Sequence, residues 1–188
     1  MARPIEYDYD EFINKTTELF LARGADHLSM ADIIENTGLN RHSLYKMFPN
    51  KSELHKGVIK NYRDRFLCHG YKMLEESPQG IASIKTFFAT LLAGDSPIRC
   101  LMVDSIVDYE NVSPAIRKLA KTHYARIEKA YQVNIDIAKK NKEISENHKT
   151  EEIASFLVLI MQGLTINTKI FCNDQIKLII FSYLNGLK

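Results

Sequence analysis

The stretch GLNRHSLYKMFPNKSEL, residues 38–54, holds one short helical segment between a glycine and a proline. Asn40 stands where an N-cap is needed, and Leu39 and Leu44 occupy the two positions of a hydrophobic staple that fixes how the chain enters the helix. Leu44, Met47 and Phe48 share the inward side, while Arg41, His42, Tyr45 and Lys46 share the outward one. Pro49 biases Phe48 away from helical conformation and so ends the segment. Asn50 and Glu53 then have the spacing of a capping box, opening a fourth helix expected to run from Lys51 to about Glu76.

Working toward the N-terminus, a first helix is predicted from about Tyr9 to Arg23. Phe12, Ile13, Thr16, Leu19 and Phe20 form its inner stripe, and Gly24 is placed to stop it in the left-handed conformation. Ser29 and Asp32 form another capping box, starting a second helix whose Ile33 and Ile34 face inward and which Gly38 ends. Two short helices joined by Gly-Leu-Asn, the second with a polar outer face, is the helix-turn-helix arrangement. Its second helix lies in the major groove of DNA with its N-terminal residues at base edges. The residue types suit that chemistry. Arg41 can bond guanine bidentately, His42 and Lys46 can reach bases or phosphates, and the hydroxyls of Ser43 and Tyr45 suit phosphate oxygens. Lys51 sits in a first helical turn, where unpaired backbone N–H groups also favour phosphate.

Net charge is only +2, but its distribution is uneven. From Met1 to Glu35 acids outnumber bases, whereas Asn40–Lys60 carries Arg41, Lys46, Lys51, Lys56 and Lys60 against Glu53 alone. The basic charge of the first third is therefore gathered around the opening stretch. The plain alternative is a solvated helix face whose charges serve solubility; the caps, the turn and the charge asymmetry coinciding weigh against it.

The remainder reads as helical throughout. Apolar residues recur at intervals of three and four with no strand-like alternation, giving an all-α chain of about nine helices. Helices are expected at about Gly80–Ala93, from Ser96-Pro97 to near Tyr109, from Ser113-Pro114 to about Lys142, at about Glu151–Phe171 and at Asp174–Leu187. With 188 residues, 45% of them hydrophobic and 26% charged, the chain can bury a core without disulfides or metal. Its three cysteines include no CxxC pair, arguing against a secreted disulfide framework. The N-terminal segment is acidic and has no apolar core of a signal peptide, and the most apolar run, Ile153–Ile166, is too short to span a bilayer. A cytoplasmic protein without a membrane partner is expected.

From Phe12 to Lys60 the chain resembles the N-terminal domain of TetR/AcrR-family transcriptional regulators. The matching segments are ELFLARG (Glu18–Gly24), LSMADII (Leu28–Ile34), TGLNRHSLYKMFPNKSEL (Thr37–Leu54) and Val58. The resemblance implies a helix-turn-helix domain over residues 1–54 and a helical regulatory and dimerisation domain over 55–188. It also implies a homodimer on a palindromic double-stranded DNA operator, most often a repressor released by a small molecule. By position, Ser29, Arg41, His42, Ser43, Tyr45, Lys46 and Lys51, with Asn40 at the cap, are the implied DNA contacts. Thr16, Ala25 and His42 depart from the family's common residues, the first two affecting packing and the third operator preference.

The resemblance further implies an effector cavity among the later helices, for which Phe88, Met102, Ile106, Tyr124, Ile127, Tyr131 and Met161 are the large apolar candidates. Plain core is the competing reading of each, and their character points to a small, largely apolar ligand. The last two helices are apolar over more than one face, so Ser155, Gly163, Ile176, Ile180, Tyr183 and Leu184 are candidates for a dimer interface, with burial inside one subunit as the alternative. The fourth helix is expected to be the only element shared by both domains, its later turns (Tyr62, Phe66, Tyr71) packing on the ligand domain and carrying the ligand signal to Lys51. Cys100, one turn into a helix starting at Ser96 and next to Arg99, raises a thiol-sensor alternative; a buried small hydrophobe is the simpler reading. The six histidines contain no HExxH spacing, and there is no Gly-rich phosphate loop and no GxSxG, so neither an enzyme nor a cofactor or metal is expected.

Overall fold

Local capping sets the helix boundaries of the first fifty residues. In a computed structural model of the protein, residues 8–76, 78–94, 96–107 and 110–188 are described. The acidic N-terminal segment up to Tyr7, Ser77 and the helix end expected near Tyr109 lie outside the described residues. Helix α1 runs Tyr9–Arg23, capped by the Asp8 carboxylate, which accepts from the Asp10 and Glu11 N–H groups. α2 (Met30–Thr37) starts at Ser29, whose capping box with Asp32 closes in both directions. α3 is Arg41–Met47 and α4 is Lys51–Asn61. Phe12, Ile13, Phe20, Leu28, Ile33, Leu39, Leu44, Leu54 and Val58 interlock as the shared core of these four helices.

Three local details differ from the sequence expectation. Gly24 does stop α1 at positive φ, but with φ 85° and ψ 149° it is not left-handed helical; Gly38 (φ 73°, ψ 4°) is. Leu19 and Ile34 are only half-buried. At Asn50 the carboxamide accepts from the Glu53 N–H at 3.0 Å, while the Glu53 carboxylate turns to Lys56 at 3.5 Å.

The fourth helix does not continue unbroken to Glu76. After Asn61 one π turn spans Tyr62–Phe66, marked by the Leu67 N–H donating five residues back to the Tyr62 carbonyl at 3.1 Å, and α5 resumes at Cys68–Glu75. No proline or glycine marks this break. A π turn rotates the helix beyond it relative to the helix before it, and such turns gather at functional sites.

α6 (Ile81–Leu91), α7 (Leu101–Val107), α8 (Pro114–Lys140), α9 (Thr150–Asn167) and α10 (Asn173–Asn185) complete the fold, all-α among the described residues. A second core joins α5, α6, α8, α9 and α10 around Phe88 and Tyr131, whose rings stack at 6.1 Å. Asn134, fully buried on α8, pins the α5–α6 turn by donating to the Leu74 carbonyl and accepting from the Gly80 N–H. The helix start expected at Ser96-Pro97 does not form. Residues 97–100 have no regular secondary structure, and the Ile98 N–H donates to the Thr168 hydroxyl at 2.9 Å instead of entering a helix. Contact with the end of α9 outweighs the local Ser-Pro signal. Cys100 is consequently the residue preceding α7, with its carbonyl accepting from the Asp104 N–H.

Nor is the fourth helix the only element between the two regions. Leu101 and Met102 of α7 and Ile116, Ala120 and Tyr124 of α8 belong to the same apolar cluster as Phe12 and Leu44.

Candidate functional site

Everything about α3 holds a short helix with its polar face outward. The Asn40 carboxamide accepts from the Ser43 N–H at 2.8 Å, and both staple leucines are buried. Phe48, 7% exposed, closes the inner side. Gly57 is essential to that closure, because a Cβ there would lie 2.9 Å from the Phe48 ring. α4 can therefore approach α3 closely only with glycine at that point. Behind it, Asn61 donates to Asn14 and Thr17, each at 3.0 Å, tying α4 to α1.

On the outer face Arg41, His42, Tyr45 and Lys46 are all exposed. The Arg41 guanidinium lies 5.5 Å from the centroid of the Tyr45 ring, which pre-orients it without neutralising it. Among the described residues none of Arg41, His42, Lys46 or Lys51 forms an ion pair. Ser43 is half-buried and Lys51 sits in the first turn of α4. Ser29 and Asn40 are exposed, but their side chains serve as caps, Ser29 donating its hydroxyl to Asp32 at 2.6 Å. That bond is the main reason the Asp32 carboxyl is held below its ordinary pKa.

A cavity of about 200 Å³ lies where the π turn, α5, α6, the 98–100 segment, α8 and α9 meet. Of the sequence candidates, Tyr124, Ile127 and Met161 line it. Phe88, Tyr131 and Met102 are fully buried core away from its wall, and Ile106 is exposed, 37% of it open to solvent. Tyr62, Phe66 and Tyr71, expected to pack on the ligand domain, are brought into the cavity wall by the π turn and α5, and Phe87 from α6, not a sequence candidate, joins them there. The Tyr71 hydroxyl is bonded to His123 Nδ1 at 2.6 Å. Behind Tyr71, Arg126 grips Glu75 with two bonds of 2.6 Å and lays its guanidinium 3.8 Å over the ring. Burial pushes the Tyr71 phenol up to about 12 and the His123 imidazole down to about 4, with Arg126 adding to the histidine's shift. Both are thus neutral near pH 7. Cys100 also lines the cavity, and burial pushes its thiol up, outweighing the Tyr62 hydroxyl and the α7 N–H groups that pull it down.

A third feature is an apolar surface on α9 and α10. Leu159, Ile166, Ile170, Leu178 and Ile179 are each at least 60% exposed, with Phe156 and Phe171 beside them. Of the residues expected at a dimer interface, Ile176, Ile180 and Leu184 are instead buried in the chain's own core. Ser155 is exposed and donates to Glu128, while Gly163 and Tyr183 are half-buried. The spacing 156, 159, 163, 166 on α9, continued at 170 just past its end, carries the signal that could have singled out the open face. No helix among the described residues is long and apolar enough to cross a membrane.

The bacterial regulatory proteins, tetR family, match residues 12–58, and the tetracyclin repressor-like C-terminal domain matches residues 81–176. The HTH-type transcriptional repressor ComR of Escherichia coli (strain K12) is 28% identical over 172 residues, covering 89% of this chain and 82% of ComR. Among solved structures, a cysteine mutant of the TetR family transcriptional regulator CifR, in complex with 26-base-pair double-strand operator DNA, superposes with a TM-score of 0.81 at 17% identity, covering all of both chains. A TetR family transcriptional regulator from Agrobacterium tumefaciens gives 0.83 at 12% identity, over 95% of this chain and 96% of that one. The reduced form of E. coli NemR gives 0.79 at 12% identity, over 95% of each chain.

Proposed function

The chain belongs to the tetR family of bacterial regulatory proteins and is a DNA-binding transcriptional regulator; from that premise we propose that it is a homodimeric repressor released from a palindromic operator by a small, largely apolar ligand. The observation that carries the reading is the outer face of α3, with an arginine, a histidine and a lysine free of ion pairs on a helix locked by cap and staple. Such a rigid cationic face costs little reorganisation when it meets the major groove. Arg41 and His42 read bases, Ser43, Tyr45 and Lys46 reach bases or phosphates, and Lys51 holds phosphate from the α4 N-terminus. Ser29 and Asn40 act through their caps, and the Asn40 carboxamide N–H groups are left to donate to the DNA backbone.

The open face of α9 and α10 carries the second subunit. Residues 1–54 supply the DNA contact, and residues 55–188 supply the cavity and the dimer surface. The protein works in the cytoplasm, where its operator is, and the reading assigns it no catalytic role. Release by oxidation of Cys100 is the weaker alternative, because burial disfavours the thiolate that oxidants attack.

Selection of bound duplexes from a random pool, followed by mobility shift on the enriched sequence, tests the reading. A palindromic motif with two half-sites about 34–36 Å apart is expected. Enrichment of no sequence over bulk DNA would overturn it.

A further inference from the structure

Among the described residues, one buried side-chain oxygen or nitrogen has no hydrogen-bond partner: the hydroxyl of Tyr124. Tyr124 is only 8% exposed and lines the cavity between the π turn and α8. Its neighbour His123 on the same wall is occupied by Tyr71 at 2.6 Å. Gln162 lies close enough to draw the phenol's pKa down as a hydrogen-bond partner would, but its geometry falls short of a hydrogen bond. Burial outweighs that influence and keeps the phenol protonated. A buried polar group without a partner is costly, and structures normally avoid it. Here it belongs to a side chain on the wall of a space that a molecule could fill.

The size and walls of that space narrow what fits. A cavity of about 200 Å³ compares with the about 150 Å³ that admits benzene in an engineered apolar site, so it takes one ring and a few further atoms. The wall is almost wholly apolar, with the rings of Tyr62, Tyr71 and Phe87 among its members. It includes no Asp or Glu to hold a cation. Its arginine, Arg99, is exposed at the rim, and burial keeps His123 neutral, so an anion would enter without a buried counter-charge. A protonated phenol has one donor to offer.

Building on the reading of the chain as a ligand-released regulator, we propose that this cavity binds a neutral, single-ring molecule carrying one oxygen acceptor, and that the Tyr124 hydroxyl orients it by donating to that oxygen. Specificity follows from the asymmetry of hydrogen bonding. A hydrocarbon of the same shape gains the same apolar contact but leaves the hydroxyl unpaired, whereas a ketone or aldehyde repairs it.

Calorimetric titration of the full chain with three probes tests this: acetophenone, its hydrocarbon isostere isopropylbenzene, and benzoate, each on wild type and on Tyr124→Phe. Acetophenone should bind wild type about three- to tenfold more tightly than isopropylbenzene, and benzoate should bind weakest. Tyr124→Phe removes only the unpaired oxygen, so it should melt no lower than wild type, keep isopropylbenzene binding and lose the preference. A preference that survives in Tyr124→Phe, tightest binding of benzoate, or saturable binding of neither neutral probe would overturn the assignment. Addition of the same probes to the enriched DNA complex separates the two levels. Binding with the expected pattern but without DNA release would leave the ligand class standing and remove ligand control.

Discussion

The helices of the first region and those of the last are stabilised by different means. Each of α1 to α4 begins at a side chain that accepts from its own first turn: Asp8, Ser29, Asn40 and Asn50. Neither α9 nor α10 has any side-chain cap; both depend on burial in a core drawn from α5, α6 and α8. Their exposed surfaces differ in the same way. The first region shows the solvent cations on a rigid helix, and the last shows it leucine and isoleucine. A locally encoded helix can carry a polar face because its existence does not depend on what that face touches. A helix that exists by burial exposes apolar side chains where a further surface is to cover them.

The largest test of this contrast compares two adjacent residues on α10. Ile180 is 3% exposed and Ile179 is 65% exposed. Ile180→Glu puts an unpaired charge into the chain's own core and should cost on the order of 4 kcal/mol or more, leaving little soluble protein. Ile179→Glu should instead give a folded monomer, with operator affinity down by about a hundredfold as two linked half-site contacts become one. Sedimentation and melting of the two variants decide it; a dimeric Ile179→Glu protein would place the interface elsewhere.

A somewhat smaller effect is expected from the tertiary polar contacts of the second region. The His123 imidazole has a folded pKa of about 4 against an ordinary value near 6.5. The unfolded chain therefore binds a proton that the folded chain refuses across that interval. Stability should be full above about pH 6.5 and fall as pH drops toward about 4, by up to about 3 kcal/mol. Denaturant melts at stepped pH should show this slope in wild type and lose it in His123→Gln. An unchanged slope would assign acid sensitivity to other groups.

The first region predicts effects of about 1–3 kcal/mol that are separable by type. Arg41→Ala should lower operator affinity by that amount and relax preference at one position of each half-site. Lys51→Ala should weaken binding to all duplexes alike and reduce the salt slope by about one unit. Equal, sequence-independent losses in both variants would mean that the outer face of α3 reads no bases.

The same contrast explains how far each region is legible in the sequence. The bounds of α1 and the caps of α2, α3 and α4 involve residues within a few positions of one another, so the order of residues alone locates them. The Ser96-Pro97 signal is equally local and fails, because the Ile98 N–H finds Thr168, seventy positions away. The π turn carries no glycine or proline to announce it, so the sequence sets Tyr62, Phe66 and Tyr71 against the second domain without setting them in a cavity wall. Ile176, Ile180 and Leu184 read as dimer surface in the sequence because two apolar faces on one helix do not say which meets its own core. Tyr124, Ile127 and Met161 are legible as large apolar residues on the right helices. That the Tyr124 hydroxyl lacks a partner is not, since partnership is a property of space.

The two regions meet at Arg99, where the smallest effect is expected. Arg99 lines the cavity from the irregular segment before α7, and it also borders a second cleft with Arg23, Gly24, Ala25 and Asp26, at the end of α1 and the turn leading to Ser29. Its guanidinium lies 3.4 Å from where a Gly24 Cβ would be, and its charge draws down the pKa of Asp104, which burial raises. A molecule that shifts the 98–100 segment therefore presses on the turn that sets α2, in parallel with any tilt of α4. Coupling of this kind is a free energy shared by two sites, and truncating a strut between them lowers it without altering either site alone. Arg99→Ala should leave DNA affinity without probe, and acetophenone affinity without DNA, within about twofold of wild type. The ratio of DNA affinities with and without saturating acetophenone should shrink by about two- to fivefold, a coupling loss of about 1 kcal/mol or less. An unchanged ratio would leave the α4–α5 helix, with its π turn, as the route. Loss of DNA affinity in the absence of any probe would instead make Arg99 a prop for the α1–α2 turn, holding Ser29 in place.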